Sequence, residues 1–245
     1  MSGTENIDAV SKTLRLVELM AAHNGELTVT QIARQLDCSI SSANRFLQTL
    51  EREGLVEKNP HTRRYELTWL LYVLGARLVV NDPSVEKLIP VAHAVSQRFD
   101  VSVNINTMLG KEALLLFRVP RFYNKDLDFL SAETAPAYCT SSGKVILSQL
   151  DAEQLDAYFD GLQIRSFQKR QLTEEDLRAE LQLTRRRGYA VCQEEYVSGV
   201  FSISFPYRDL SGHLYALTLI APMREKKRIT QPELLKEVRQ MLSQV

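Results

Sequence analysis

Apolar positions recur at helical spacing through the first fifty residues. Val10, Leu14, Val17 and Ala21 lie 4, 3 and 4 apart, predicting a helix over Asp8–His23 that Asn24-Gly25 ends. Thr28 is a candidate N-cap for a second helix, with Val29, Ile32, Ala33 and Leu36 on one face. After a turn at Asp37 and Cys38, Ser39 offers another cap. The helix it opens places Ala43, Phe46, Leu47 and Leu50 on one stripe. The period then changes from helix to strand: Leu55 and Val56 lead into Asn59-Pro60 turn chemistry, and Tyr65 and Leu67 alternate with charged residues. A helix pair followed at once by a hairpin predicts a winged helix-turn-helix over residues 1–68.

The stretch Trp69–Val80 is different, since nine of its twelve residues are apolar. Such a helix demands burial, either within its own domain or against a second copy of itself, and the second copy is the favoured partner. Asn81-Asp82-Pro83 breaks it, so 69–82 is a linking and dimerising helix and 83–245 a second domain. Beyond Pro83 the pattern is mixed. A helix over Ser84–Phe99, kinked or split at Pro90, precedes a hairpin of Val101–Ile105 and Ala113–Val119 around Leu109-Gly110-Lys111. An irregular stretch, Arg121–Tyr138, leads to helices near Ser142–Leu150, Ala152–Phe159 and Thr173–Arg187. The third opens on a capping box and closes at Gly188. Strands over Tyr189–Cys192, Val200–Tyr207 and His213–Ala221 and a helix from Thr230 complete an antiparallel sheet covered by helices, so the fold class is α+β.

Composition narrows the function without naming it. Lys plus Arg and Asp plus Glu both number 30, and the first 68 residues carry 8 cations against 9 carboxylates. That balance excludes an avid nonspecific nucleic-acid binder and leaves room for a sequence-reading one whose dimer doubles the few contacting cations. Without an apolar leader, a membrane-length run or paired cysteines, the expectation is a cytoplasmic protein with no membrane partner, metal or cofactor.

The third helix carries the candidate chemistry. Its outward face holds Ser41, Ser42, Asn44, Arg45, Gln48 and Thr49, short or amide side chains with one guanidinium. Asn and Gln pair with adenine edges, and Arg with guanine or phosphate, so this face suits a major groove. The expected DNA contacts are Thr28, Ser39, Ser41, Ser42, Asn44, Arg45 and Gln48, with Arg63 and Arg64 on the wing. An ordinary helical hairpin facing water is the bland alternative. Pro136–Lys144 is the second distinctive stretch: small polar residues opening a helix leave backbone N–H groups for an anionic or hydroxylated ligand, or merely cap themselves. Arg185, Arg186 and Arg187 read as cations of a last helical turn, and 224–228 as a solvated loop. No catalytic motif is present; an enzymatic rival would use Cys139 or Cys192 as a redox nucleophile, with the winged helix as an accessory.

Over nearly its whole length the chain resembles the IclR family of bacterial transcriptional regulators. The resemblance rests on Ser39, Ser41, Arg45, Leu47, Leu50 and Gly54, on Tyr138–Lys144, on Arg187–Glu195 with Gly199, and on Asp209–Pro222. It implies a winged helix that binds operator DNA as a homodimer or dimer of dimers. It also implies a GAF-like domain that binds a small effector, often a carboxylate or aromatic metabolite. The effector residues it implies are Tyr138, Thr140, Ser141, Ser142, Cys192, Ser202 and Thr218. The chain departs from the family pattern at Tyr138 (usually His), Cys192 (usually acidic), Ile220 (usually Ser) and Ile40 (usually basic). These departures imply a less hydrophilic effector and one phosphate contact fewer.

Overall fold

The computed structural model describes residues 7–23, 25–121, 134–165 and 172–245. The chain divides into two compact units, Met1–Val79 and Val80–Val245. Among the described residues no helix is long and apolar enough to cross a membrane.

In the first unit, α1 (Asp8–Ala22), α2 (Val29–Gln35) and α3 (Ile40–Arg52) precede β1 (Val56–Lys58) and β2 (Tyr65–Leu67). Thr28 and Gln31 form a capping box at α2, and Ser39 caps α3 by accepting from the Ser42 N–H. These caps satisfy orphan donors locally, so short polar residues fix both helix starts. Ile32, Ala33, Ala43, Leu47 and Leu50 meet Val56 and Tyr65 in one small core. Leu27 forms an isolated β-bridge to Tyr65 beside the antiparallel wing. Only part of the stripe its spacing suggested on α1 turns inward, with Val17 packed against the core. Leu16 and Met20 are buried while Val10 and Leu14 are exposed. α1 carries two apolar stripes, and period alone does not choose which turns inward. Gly25 takes φ +120° where the turn was expected; its neighbour Asn24 lies outside the described residues. Then comes α4 (Leu70–Val80), with no buried residue at all. Trp69, Leu78 and Val80 are 83%, 77% and 76% exposed, so among the described residues the burial this sequence demands is not met.

The second unit opens with α5 (Pro83–Phe99), capped by Asp82 and unbroken at Pro90. Val85, Leu88, Ala92 and Val95 are fully buried along one face, and this packing carries the helix past the proline. Strands β3 (Ser102–Leu109), β4 (Glu112–Val119), β5 (Thr134–Pro136), β6 (Ala190–Gln193), β7 (Val200–Arg208) and β8 (Leu214–Pro222) form one antiparallel sheet, ordered β5-β4-β3-β8-β7-β6. Part of the stretch expected to be irregular is therefore edge strand β5 followed by a 3-10 turn at Ala137–Cys139; residues 122–133 lie outside those described. Helices α6 (Ser141–Leu147), α7 (Ala152–Phe159) and α8 (Glu174–Arg187) follow, with the Thr173–Asp176 capping box in place and Gly188 left-handed at φ +73°.

Arg185 and Arg187 tie down backbone: Arg185 donates to the Ser148 carbonyl (2.6 Å) and Arg187 to that of Tyr189 (2.5 Å). The 224–228 run is not a free loop. It passes from a 3-10 turn (Met223–Glu225) into α9 (Lys226–Ile229), in which Ile229 is buried and Arg228 binds the Phe99 and Asp100 carbonyls. α10 (Pro232–Leu242) closes the chain and buries Leu234, Val238 and Leu242.

Candidate functional site

Two surfaces gather the sequence-predicted residues. On α3, Ala43, Leu47 and Leu50 are committed to the core, so the opposite side is outward by helical geometry. Ser41, Arg45 and Gln48 are exposed there, while Ser42 and Asn44 are half-buried. Among the described residues no carboxylate forms an ion pair with Arg45, Arg63 or Arg64. Thr28 and Ser39 do a different job. The Thr28 hydroxyl accepts from the Gln31 N–H (3.2 Å) and donates to the Gln31 side-chain carbonyl (2.9 Å), and the Ser39 hydroxyl accepts from the Ser42 N–H (3.1 Å). Each fixes a helix start, Thr28 that of α2 and Ser39 that of α3.

The second surface is a cavity of about 110 Å³ on the sheet, closed by α6 and the loop before β7. The strand register explains its chemistry. Arg118, Asn104, Thr218 and Ser204 are successive cross-strand neighbours over β4, β3, β8 and β7. Ile220, Ser202 and Cys192 form the adjacent row. Their hydroxyls are wired together: Ser141 meets Ser202 at 2.7 Å and Ser204 at 2.8 Å, and Ser204 meets Thr218 at 2.8 Å. Thr218 donates onward to the Asn106 side-chain carbonyl at 3.1 Å. At the other end Arg118 Nε donates to Asn104 Oδ1 (3.1 Å), and Ala113, Leu115, Val197 and Val200 supply apolar wall. Six of the seven expected effector residues line this cavity: Thr140, Ser141, Ser142, Cys192, Ser202 and Thr218.

Tyr138 is the exception. It is 3% exposed within an apolar cluster, and its hydroxyl donates to the Arg165 carbonyl (3.1 Å) and accepts from the Arg165 N–H (3.0 Å). It braces the cavity's outer packing. Asn104, Asn106 and Arg118 were missed, although Ser102, Asn104 and Asn106 repeat every second residue, as one polar face of a strand would.

On α6 Lys144 is fully buried, with its ammonium 3.0 Å from Glu180 and bonded to Glu195. Burial penalises that charge, but the two carboxylates outweigh the penalty and hold its pKa above the usual lysine value. Burial pushes Cys139 up to about 12 and Cys192 up to about 11. Each thiol donates instead to a carbonyl, that of Pro136 and that of Cys139 respectively. The enzymatic alternative finds no support at these cysteines, because a nucleophilic thiolate needs a lowered pKa.

A pH dependence follows. These groups keep their protons in the folded chain, whereas their ordinary values are 9.0 for Cys and 10.5 for Lys. The unfolded chain therefore binds fewer protons at alkaline pH, and stability, complete below about pH 9, falls as pH rises toward about 12. Urea midpoints should drop between about pH 8 and about pH 10.5, and Cys139→Ser should shallow the drop; a midpoint independent of pH would contradict this assignment.

Comparison with known proteins decides the relationship. Residues 9–60 match the IclR helix-turn-helix domain, and residues 79–245 match the C-terminal domain of the bacterial transcriptional regulator IclR. The chain belongs to the IclR family. It is a regulator of that family, with a helix-turn-helix DNA-binding domain and a C-terminal ligand-binding domain. Among its relatives is the HTH-type transcriptional regulator KdgR of Escherichia coli, 25% identical over 212 residues, or 85% of this chain and 81% of that protein. The fold matches an IclR transcriptional regulator from Alicyclobacillus acidocaldarius, with a TM-score of 0.76 at 21% identity over 98% of this chain and 96% of the other. It also matches an IclR homologue from Microbacterium hydrocarbonoxydans complexed with 4-hydroxybenzoate, with a TM-score of 0.76 at 19% identity over 96% and 97% of the two chains.

Proposed function

We propose that this regulator reads a specific operator with α3, as a pair of chains docked through α4, and that a small carboxylate in the sheet cavity sets its operator affinity. The observation that carries this is the two-sidedness of α3. Its inner stripe is fully used in packing, and its outer one offers Ser, Asn, Arg and Gln instead of the Glu and Lys of a solvated helix. The near-zero charge of the unit favours selective over nonspecific binding. The exposed apolar side of α4 supports pairing, because bare surface of that kind marks an interface. α4 also joins the two units in sequence, so a change at the cavity has this helix as its route to α3.

For the effector, Arg118 is the one charged residue among the described cavity lining. A guanidinium beside an amide at one end, hydroxyls at the other and apolar wall between suit a short amphiphile bearing one carboxylate. The relative complexed with 4-hydroxybenzoate supports that class, since the molecule carries an acid and a hydroxyl on opposite ends of an apolar ring. Calorimetric titration with benzoate and 4-hydroxybenzoate tests it. Arg118→Met should weaken binding roughly tenfold to a hundredfold, the strength of one charge-assisted hydrogen bond. Equal binding of benzoates and the corresponding benzamides would contradict it.

A further inference from the structure

Glu26 precedes the wing turn by more than thirty residues, yet its carboxylate spans that turn. Asn59 Nδ2 donates to Glu26 Oε1, and the Thr62 hydroxyl donates to Glu26 Oε2 at 2.5 Å. Asn59 is itself the hub of the turn. Its side-chain carbonyl accepts from the His61 N–H (2.9 Å) and the Thr62 N–H (3.1 Å), and its backbone pairs with Arg63 and Arg64. We propose that Glu26 is a positioning residue for DNA binding, holding the wing so that Arg63 and Arg64 meet the duplex in one fixed conformation. This rests on the proposal that the wing contacts DNA.

Three observations carry it. β1 and β2 have three residues each, and an isolated two-stranded hairpin is marginal in water, so the wing needs an outside hold. Arg63 sits at φ +60°, a left-handed conformation that a residue with a Cβ keeps only where its surroundings enforce it. Glu26 is itself anchored, since the next residue, Leu27, exchanges both backbone hydrogen bonds with Tyr65 (2.9 and 2.8 Å). The carboxylate thus bridges a backbone position pinned to β2 and the far side of the turn.

Electrostatics makes the proposal sharp. A carboxylate beside phosphates repels them, so deleting Glu26 should tighten binding if its charge is what matters. If positioning matters more, deletion should weaken binding.

The test uses the full chain and an operator recovered from random duplexes with the wild-type protein. Glu26→Ala and Arg63→Ala should each lower affinity about tenfold, and each should reduce the salt slope by about 1 for every phosphate no longer engaged. The double variant should bind no worse than the weaker single one, because a misplaced arginine has nothing further to give up. Glu26→Gln, whose amide oxygen still accepts from one donor, should recover part of the affinity. Tighter binding by Glu26→Ala, or losses that simply add in the double variant, would overturn the positioning role. Wild-type affinity after replacing Arg63 and Arg64 together would instead remove the wing contact itself.

Discussion

Replacing Arg45 with alanine should sharply weaken operator binding while leaving fold and oligomeric state unchanged. Arg45 stands exposed on α3, with no carboxylate paired to it among the described residues, so its guanidinium is available to a base edge or phosphate. A bidentate contact to guanine is worth about 1–3 kcal/mol, and a two-fold complex makes it twice, for about 2–6 kcal/mol. At about 1.4 kcal/mol per decade the affinity falls about thirtyfold or more. The fold should survive because α3 starts on the Ser39 cap and packs through Ala43, Leu47 and Leu50, none of which Arg45 supports. A mobility-shift titration beside a melting curve separates the two effects. Undiminished affinity would remove Arg45 from the interface.

Gly143→Ala should be the most damaging single methyl in the second domain. A Cβ there would stand 2.2 Å from the Ala137 carbonyl oxygen and 2.3 Å from its Cα, distances that real Cβ atoms do not occupy. The obstacle is backbone and has no room to retreat: Ala137 is fully buried and its N–H donates to the Lys111 carbonyl. The neighbouring Tyr138 is held by Arg165 in both directions. α6 would have to lift, carrying Ser141 off the hydroxyl network and Lys144 off Glu180 and Glu195. Overpacking usually costs about 1–3 kcal/mol. With a rigid backbone opposite and a buried ion pair attached, about 4 kcal/mol is the expected destabilisation, a fall in melting temperature of roughly 10 °C. Calorimetry of the variant checks it; a melting temperature within about 2 °C of wild type would mean that α6 adapts freely.

The helices of the first unit were legible because their signals are local. A Thr or Ser cap and its partner lie three residues apart, and the chain needs nothing distant to use them. The face of α1 was not, since Leu16 with Met20 and Val10 with Leu14 are equally good stripes and only the tertiary core chooses between them. Most of the cavity was foreseeable from the run Thr140-Ser141-Ser142 and from family likeness. Its polar wall was not. Ser102, Asn104 and Asn106 alternate as a solvated strand face would, yet all three are buried, because α6 and the loop before β7 roof that face. Arg118 sits in an apolar run and gains its meaning only from standing opposite Asn104 in the sheet. Tyr138 went astray for a related reason. Its place beside the serines suggested the pocket, but the 3-10 turn at Ala137–Cys139 aims it into the cluster with Tyr158 and Phe159. Glu26 lay beyond local inspection, since its partners are 33 and 36 residues away.

All of this depends on the outward side of α3 being the surface that meets nucleotide edges. Selection of random duplexes with the full-length protein, followed by methylation interference on the winning sequence, measures that most directly. Two half-sites related by two-fold symmetry should emerge, each sensitive to methylation at purine N7 in the major groove, and the interference should vanish at one position per half-site in the Arg45→Ala protein. Failure to enrich any sequence, or interference that the Arg45 substitution leaves untouched, would contradict the account.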